Sequence, residues 1–381
     1  TLQLLKQSNK YSYMKLVVLK NKIIEALNLI ERSTGTGGNL PILKNILVRA
    51  SENKISFSAT NLEFAVTHSF SGKIVENGEI TIPCNLFSGL ARGLTSERIT
   101  LEKKGKNLLV LTENYEASLQ TYDVKEFPII PRISSEQYKI NTNTKTFSEG
   151  LSSVIAAAQY SEVRPEISGV FIHQNHGILL TATDSFRLAE KRTDMKQEGK
   201  AEGLKVIIPI KAAEEILRIL TNYQDEPLTL SFDETQALFQ TKETEIISRL
   251  IDGIFPDYEH IIPKDTKTEV TMGRQELLQA IKLVSSFSTK INDVKISAAE
   301  GKKHIELSAS NTGVGENIYR IPAKISGEQF FITFNWHFLL DGIKSFKDEE
   351  IILGVNASEK PAILRGGNDK TLLYVVMPLK I

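Results

Sequence analysis

Asp184 and Arg187 are the residues whose types and spacing come closest to an active site in this sequence. A carboxylate three residues before a guanidinium could act as a catalytic acid beside an anion clamp. The favoured interpretation is structural, because Asp is a common turn residue and an Asp–Arg pair can form a buried ion pair at a strand–loop corner. The sequence Ala182-Thr183-Asp184 therefore indicates turn chemistry, with catalysis as the alternative.

Other patterns that could do chemistry are incomplete. His173 and His176 have a spacing that a metal could use, but no carboxylate or cysteine partner is evident, so a surface pair is favoured. Gly35–Gly38 lacks the Gly-Lys-Ser/Thr of a phosphate loop. Cys84 is the only cysteine, which excludes an internal disulfide and fits a reducing compartment. The sequence predicts a protein that is not an enzyme and that uses no cofactor and no metal.

Length and charge limit the function further. A chain of 381 residues is long enough for two or three domains. The 46 basic and 46 acidic side chains balance, which argues against DNA binding through bulk positive charge. Any contact with DNA therefore requires basic side chains gathered on one surface. No apolar run approaches membrane-spanning length, and a cytoplasmic location is predicted.

Two short patterns recur along the chain roughly every 125 residues, which indicates whole domains in tandem. Ala59, Ala182 and Ala309 each follow a predicted strand and begin an Ala-Thr/Ser-Asn/Asp motif. The second pattern consists of the dipeptides Phe127-Pro128, Phe255-Pro256 and Met377-Pro378. We predict three copies of one domain, at residues 14–133, 134–258 and 259–381, with residues 1–13 as an N-terminal extension or artefact.

Each copy contains two amphipathic helices among roughly eight short strands. This pattern predicts an α+β fold with helices on one side of antiparallel sheets. The helix faces away from the apolar stripes carry a mild excess of basic residues, for which an ordinary solvated face is the alternative. The predicted helices are Lys20–Arg32, Cys84–Leu94, Lys145–Ala158, Lys211–Leu220, Arg274–Ser286 and Asn335–Ser345.

Four longer motifs lead to a family. They are Asn39–Leu47 (NLPILKNIL), Ala182–Ala189 (ATDSFRLA), Gly253–Tyr258 (GIFPDY) and the terminal Tyr374–Ile381 (YVVMPLKI). The chain resembles the bacterial DNA polymerase III beta subunit, the replicative sliding clamp, from Met14 to Ile381. The threefold repeat found above is what that fold requires.

The resemblance implies a head-to-tail homodimer in which six similar domains close into a ring around double-stranded DNA. Such a clamp is a processivity factor for DNA replication. It holds DNA without reading its sequence, and its partners are the polymerase III catalytic subunit, the clamp loader and other proteins with a clamp-binding motif. The alternative is a clamp-like scaffold or paralogue that binds proteins without encircling DNA.

The resemblance also implies three sets of site residues. A cleft between the second and third domains would bind partner peptides ending in leucine and phenylalanine. It would be formed by Arg164, Ile167, Thr183, Ser185, Phe186, Arg187, Leu188, Pro256, His260, Ile261, Val375, Met377, Pro378 and Leu379. The residues expected to face DNA are Gln159 and Lys211, which match family positions, together with basic residues of the helix faces described above, Lys20, Lys22, Arg32, Arg218 and Lys282. The dimer interface would join Ala117 and Leu119 of one copy to Ser286 and Phe287 of the other.

Overall fold

The computed structural model describes residues 13–35, 40–52, 54–133, 136–198, 203–299, 301 and 303–380. The contacts divide the described chain into two compact units. The first lies within Thr1–Asn143 and Asn222–Arg249, and the second within Thr144–Thr221 and Leu250–Ile381.

The first unit contains two helices, α1 (Lys20–Ile30) and α2 (Cys84–Gly93). Its strands, numbered in chain order, are β1 (Met14–Leu19), β2 (Asn45–Ser51), β3 (Lys54–Thr60), β4 (Phe64–Phe70), β5 (Lys73–Glu76), β6 (Gly78–Pro83), β7 (Arg98–Lys104), β8 (Asn107–Leu111), β9 (Glu116–Gln120), β10 (Tyr138–Asn143), β16 (Pro227–Phe232), β17 (Gln236–Gln240) and β18 (Thr244–Arg249). One sheet has the order β5-β1-β7-β8-β9, and another runs β10-β16-β17-β18-β4-β3-β2-β6.

The second unit contains four helices, α3 (Thr144–Val154), α4 (Ile210–Leu220), α5 (Arg274–Ser285) and α6 (Trp336–Ser345). Its strands are β11 (Gly169–Gln174), β12 (Ile178–Thr183), β13 (Arg187–Thr193), β14 (Lys196–Glu198), β15 (Lys205–Pro209), β19 (Thr268–Gly273), β20 (Asp293–Ala298), β21 (His304–Asn311), β22 (Gly315–Gly327), β23 (Phe330–Asn335), β24 (Glu350–Val355), β25 (Ala362–Gly366) and β26 (Leu372–Val376). Twelve of them form one sheet in the order β15-β11-β12-β13-β26-β25-β24-β19-β22-β21-β20-β23.

Two antiparallel strand pairs join one third of the chain to another. In the first unit β18 pairs with β4, and Ile246 lies opposite Val66. In the second unit β26 pairs with β13, and Tyr374 lies opposite Ala189. Because sheets continue through both pairs, the second third of the sequence is divided between the two units.

The helices pack in pairs, α1 with α2, α3 with α4 and α5 with α6. Each buries one apolar face. In α1 that face contains Ile23, Leu27 and Ile30, which are fully buried at the spacing of an amphipathic helix.

All six predicted helices are present, and the α+β prediction is confirmed. Four of them begin and end within one residue of the predicted bounds, whereas α1 and α3 end two and four residues earlier than predicted. After α1 the chain tightens into a 3₁₀ turn at Glu31–Ser33, and after α3 it does the same at Ile155–Ala157. A tighter last turn is a frequent way to satisfy the final carbonyl groups of a helix. Among the described residues, no helix has both the length and the apolar character needed to cross a membrane.

Candidate functional site

The turn between β12 and β13, Thr183–Arg187, is held by its own side chains, and we call it the cleft corner. Thr183 Oγ1 donates to the Arg187 carbonyl at 2.7 Å. Asp184 Oδ1 accepts from the backbone N–H groups of Phe186 and Arg187 at 2.9 and 3.0 Å. These bonds maintain Ser185 at a φ of 78°, a left-handed conformation that is uncommon for serine. The predicted turn chemistry is therefore confirmed.

The buried Arg187 side chain stabilises this corner. Its Nε donates to Asp184 Oδ2 at 2.8 Å, and its Nη1 donates to Asp341 Oδ2 at 2.6 Å. The guanidinium also lies 4.6 Å from the centre of the Phe338 ring, and the side chain is only 10% exposed. Because two carboxylates and an aromatic ring engage the cation, the structural interpretation of the Asp–Arg pair is confirmed.

The residues after β26 run along the corner, and we call Met377–Lys380 the terminal segment. The Met377 N–H donates to the Phe186 carbonyl at 2.8 Å, and the Leu379 N–H donates to the Thr333 carbonyl at 2.8 Å. Pro378 is buried, while Met377 and Leu379 are half-buried. The Phe186 ring is 61% exposed and stacks on Phe338. The corner and the terminal segment thus present an apolar surface to solvent.

The segment between β18 and β19, residues 250–267, is anchored by Phe255 and by a buried polar cluster around Tyr258, and we call it the linker. Phe255 stacks on Phe171 with ring centres 4.6 Å apart. The Tyr258 hydroxyl donates to Glu190 Oε2 at 2.5 Å and lies 2.9 Å from His173 Nε2. It also lies 3.0 Å from Thr181 Oγ1. Four separate interactions therefore fix the position of this linker.

The cluster shifts the pKa values of its members. Burial, with the nearby Lys205 charge, lowers the pKa of His173 to about 4. Burial also raises the pKa of Glu190 and that of Tyr258. His173 is therefore neutral at neutral pH. The prediction that His173 is a surface residue is wrong, because β11 is covered on both faces and only His176 is exposed.

The predicted cleft residues occupy four segments of the second unit. They are the 3₁₀ turn Pro165–Ile167 with the preceding Arg164, the cleft corner with Leu188, the linker, and the end of β26 with the terminal segment. The buried parts of the first, second and fourth meet in one apolar cluster with the linker, since Ile167, Leu188 and Val375 pack with Phe255 and Tyr258.

The exposed members of the predicted set are polar as well as apolar. Arg164 Nη1 donates to Ser185 Oγ at 2.9 Å, which ties the 3₁₀ turn to the corner. Pro256, His260 and Ile261 lie on the linker, where Ile261 is 38% exposed. Sequence reasoning missed Phe338 and Asp341 of α6, because no local pattern shows that a helix of the third copy supports a corner of the second.

The side chains predicted to face DNA are exposed to different degrees. Lys20 Nζ donates to the carbonyl groups of Arg92 and Leu94, so it caps the end of α2. Lys22 pairs with Glu25 at 2.8 Å, and Arg218 pairs with Glu215 at 2.7 Å.

Lys211 Nζ lies 5.1 Å from the centre of the Tyr160 ring. Arg32, Gln159 and Lys282 are exposed. The positive charge that these helices offer to a ligand is therefore smaller than the residue count suggests.

The predicted interface residues lie at two sheet and helix ends. Ala117 and Leu119 are on β9, the outer strand of its sheet, and Leu119 is buried. Ser286 and Phe287 follow α5, and a Cβ at Gly315 of β22 would contact the Phe287 ring.

Known proteins of one family match this chain along almost its whole length. Three family models match in order: the N-terminal domain of the DNA polymerase III beta subunit at residues 14–131, its central domain at 141–257, and its C-terminal domain at 259–380. The beta sliding clamp of Bacillus subtilis is 29% identical, and the match covers 96% of this chain and 100% of that one. The beta sliding clamp of Synechococcus elongatus is 26% identical over 97% of this chain and 100% of that protein.

Solved structures agree. A crystal structure of the Bacillus subtilis sliding clamp superposes with a TM-score of 0.91 at 28% identity, covering 97% of this chain and 100% of that one. A griselimycin-bound sliding clamp from Bartonella birtlesii has a TM-score of 0.89 at 26% identity, with 97% and 100% covered. The chain therefore belongs to the DNA polymerase III beta subunit family of sliding clamps, which are non-catalytic processivity factors.

Proposed function

We propose that this chain pairs head to tail with a second copy to form a closed ring around duplex DNA, and that it tethers replication and repair proteins through the cleft described above. The observation that carries the proposal concerns the strand pairs that join one third of the chain to another. Two such pairs form within the chain, β18 with β4 and β26 with β13, and the edges of β9 and β22 are left for a third.

The two existing pairings are equivalent in the repeat. Within each copy, the Ala of the Ala-Thr/Ser-Asn/Asp motif lies opposite a residue of the next strand. The partners are Val66 for Ala59, Ala189 for Ala182 and Asn317 for Ala309. Val66 and Ala189 each face a strand from another third of the chain. Asn317 of β22 therefore marks the place where a third pairing belongs.

The strand that would complete the set is β9. Ala117 of β9 and Ile246 of β18 are each followed six residues later by an aspartate, Asp123 and Asp252. This shared spacing aligns β9 with β18. Ala117 and Ile246 also both lie opposite fully buried residues of the preceding strand. The alignment predicts that Ala117 of one copy lies opposite Asn317 of the other.

Both edges are free for such a pairing in the described part of the chain. β9 is the last strand of its sheet, and residues 315–322 of β22 pair only with β21. Ile318 is 56% exposed, and Asn317 Oδ1 is buried without a hydrogen-bond partner among the described residues. A long free strand edge is an interaction site, since its N–H and C=O groups need partners.

Ring closure explains how a chain with no net charge holds DNA. A closed ring cannot leave a duplex sideways, so weak contacts to phosphates are sufficient and sliding stays easy. The exposed Lys211 and Lys282 on the helices, and Arg32 in the turn after α1, supply contacts of this kind. A tethered polymerase then meets its template at a high effective concentration.

The proposed cleft would take apolar anchors of partner peptides against the terminal segment and the cleft corner. Removing residues 377–381 is expected to abolish peptide binding and to leave the dimer intact, because the described backbone bonds of that segment go to Phe186 and Thr333 and to neither β9 nor β22. Unchanged peptide affinity in this deletion would show that the cleft lies elsewhere.

Ring closure is tested by the charge at position 318. The predicted register places Ile318 opposite Glu116 of the second copy, so Ile318→Asp sets like charges across the pairing and Ile318→Lys sets opposite ones. Sedimentation equilibrium should give twice the mass of the 42.5 kDa chain for the wild type and for Ile318→Lys. The aspartate variant should dissociate at about tenfold higher concentration or more.

Val163→Asp is the matched control, because this side chain is 90% exposed and lies on neither edge. A single-chain mass for the wild type at micromolar concentration would refute the ring and favour the scaffold alternative. Equal dissociation of both position-318 variants would refute the register alone.

A further inference from the structure

The turn between β3 and β4 repeats the hydrogen bonds from side chain to backbone that hold the cleft corner. Thr60 Oγ1 donates to the Phe64 carbonyl at 2.9 Å. Asn61 Oδ1 accepts from the N–H groups of Glu63 and Phe64 at 3.1 and 2.8 Å. Leu62 has a φ of 78°, the value found at the serine of the cleft corner. The first unit therefore contains a second copy of the backbone that presents the proposed peptide cleft.

The surrounding segments are repeated as well. The Arg249 N–H donates to the Glu63 carbonyl at 3.0 Å, as the Met377 N–H does at the cleft corner. Arg249 thus takes the place of Met377. A 3₁₀ turn at Pro41–Lys44 follows Leu40, just as the turn at Pro165–Ile167 follows Arg164 in the second unit.

The β3–β4 turn and the end of β18 border an open groove of about 260 Å³, which we call the first-junction groove. Its lining residues are Thr60, Leu62, Glu63, Phe64, Ala65, Pro128, Ile129, Pro131, Gln236, Ile247 and Arg249. A space of this size holds one or two side chains and not a whole small-molecule ligand.

The apolar walls of the groove are open to solvent. Ile129 is 93% exposed and Leu62 is 43% exposed, whereas the neighbouring Phe127 is buried in an apolar cluster beneath them. Burying such side chains under a ligand is favourable in proportion to the apolar area covered. Eleven described residues line the groove, whereas a stable interface involves about 20–30 residues on each side, so a second folded copy is a poor occupant.

One charge distinguishes the groove from the cleft. Arg249 is exposed, and no described carboxylate forms an ion pair with its guanidinium. At the equivalent place in the cleft stands the apolar Met377. Among the described residues that line the groove, Glu63 is the only acid. A ligand that fills this space therefore gains from a carboxylate placed beside its apolar side chain.

We propose that the first-junction groove is a second docking site, which binds an extended peptide segment of a partner protein carrying an acidic residue next to a bulky apolar one. The proposal rests on the proposed function, because it takes the peptide-binding role of the cleft as its template. The apolar anchor lies between Leu62 and Ile129, and the acidic residue pairs with Arg249.

The test uses the full-length protein and a fluorescein-labelled hexapeptide, Gly-Glu-Leu-Leu-Phe-Gly, followed by fluorescence anisotropy. Phe186→Glu blocks the cleft, and Ile129→Glu blocks the groove. Both side chains are mostly exposed, so the fold tolerates either change. The wild type should bind two peptides per chain, each single variant one, and the double variant none.

A charge exchange checks the assigned ion pair. In the Phe186→Glu background, Arg249→Glu should lower the affinity for the hexapeptide by about tenfold or more. A peptide with Lys in place of its Glu should recover most of that loss. In the Ile129→Glu background, where only the cleft is open, Arg249→Glu should leave the affinity for the hexapeptide unchanged.

The outcomes separate the two proposals. Complete loss of binding in Phe186→Glu alone, with one peptide bound by the wild type, would overturn the second site and leave the cleft in place. Binding that survives Phe186→Glu but disappears in Ile129→Glu would support the groove and overturn the cleft. No binding to the wild type would overturn both.

Discussion

The segment after β9 that contains Phe127 and the linker after β18 that contains Phe255 are both held by buried side chains, but the kind of contact differs. Each phenylalanine is 6% exposed and packs into an apolar cluster beside a turn with the same backbone bonds. Three residues after Phe127 stands Ile130, which packs against its cluster through apolar contacts. Three residues after Phe255 stands Tyr258, whose hydroxyl reaches Glu190 and His173.

The difference shows how one repeated scaffold supports two kinds of junction. Apolar packing is tolerant of small shifts, whereas a buried hydroxyl with several hydrogen-bond partners fixes one position. The linker beside the proposed cleft is therefore positioned more strictly than the linker beside the first-junction groove.

The largest expected effect comes from removing either phenylalanine. Phe127→Ala and Phe255→Ala should each lower the free energy of unfolding by about 3–5 kcal/mol, because both rings are buried and leave a cavity. Hydrogen exchange of the two linkers should show opening confined to the mutated one. Only Phe255→Ala should weaken the binding of a partner peptide at the cleft. Equal loss of this binding in both variants would remove the distinction between the linkers.

The next effect is a pH dependence that only the second linker carries. Since the pKa of His173 is lowered to about 4 from its ordinary 6.5, the unfolded chain binds a proton between these values that the folded chain does not. Stability from this group is complete above pH 6.5 and falls as the pH decreases toward 4, by up to about 1.4 kcal/mol per pH unit. Glu190, whose pKa is raised, acts in the opposite direction.

His173→Gln should therefore flatten the fall in stability between pH 6.5 and pH 4, measured by urea unfolding. His68 in the first unit also has a lowered pKa, but its contribution is the same in both proteins and cancels. A slope that is identical with and without His173 would contradict the assigned role.

A smaller effect is expected from the hydroxyl alone. Tyr258→Phe leaves Glu190 without its hydrogen-bond donor in a partly buried site, which should lower the free energy of unfolding by about 1–3 kcal/mol. Tyr122→Phe is the control, since Tyr122 is 44% exposed. If both variants unfold at the same urea concentration, the polar anchor adds nothing to packing.

The smallest effect on stability is expected at the surface of the cleft. Phe186→Ala removes an exposed ring and should change the free energy of unfolding by no more than about 0.5 kcal/mol. Its effect on peptide affinity should nevertheless be clear, because the ring is an exposed apolar wall. A large fall in the melting temperature would show that the ring supports the fold instead.

Much of the fold could be predicted from local patterns. The six helices follow from apolar residues at helical spacing, and the three copies follow from the recurring Ala and Pro motifs. The turn chemistry of Asp184 could also be predicted, because its side chain bonds to residues two and three positions later. The domain boundaries remain predictions, since sheets continue from one third of the chain to another.

Long-range contacts could not be predicted in the same way. Nothing in the local sequence of β11 shows that His173 meets Tyr258, which lies 85 residues later. The support of Arg187 by Asp341 spans 154 residues. The similarity of the β3–β4 turn to the cleft corner was visible as a repeated motif, but the groove beside it depends on Ile129 and Arg249, which are only brought together in the folded chain.

The most direct measurement of the central claim is retention on DNA of two topologies. The protein is assembled on nicked circular DNA by the clamp loader of its own replication system, separated by gel filtration, and compared before and after the circle is cut once. A ring that encircles DNA should stay on the intact circle and be released when the DNA is linear. Equal release from both forms, or equal retention on both, would contradict binding by encirclement.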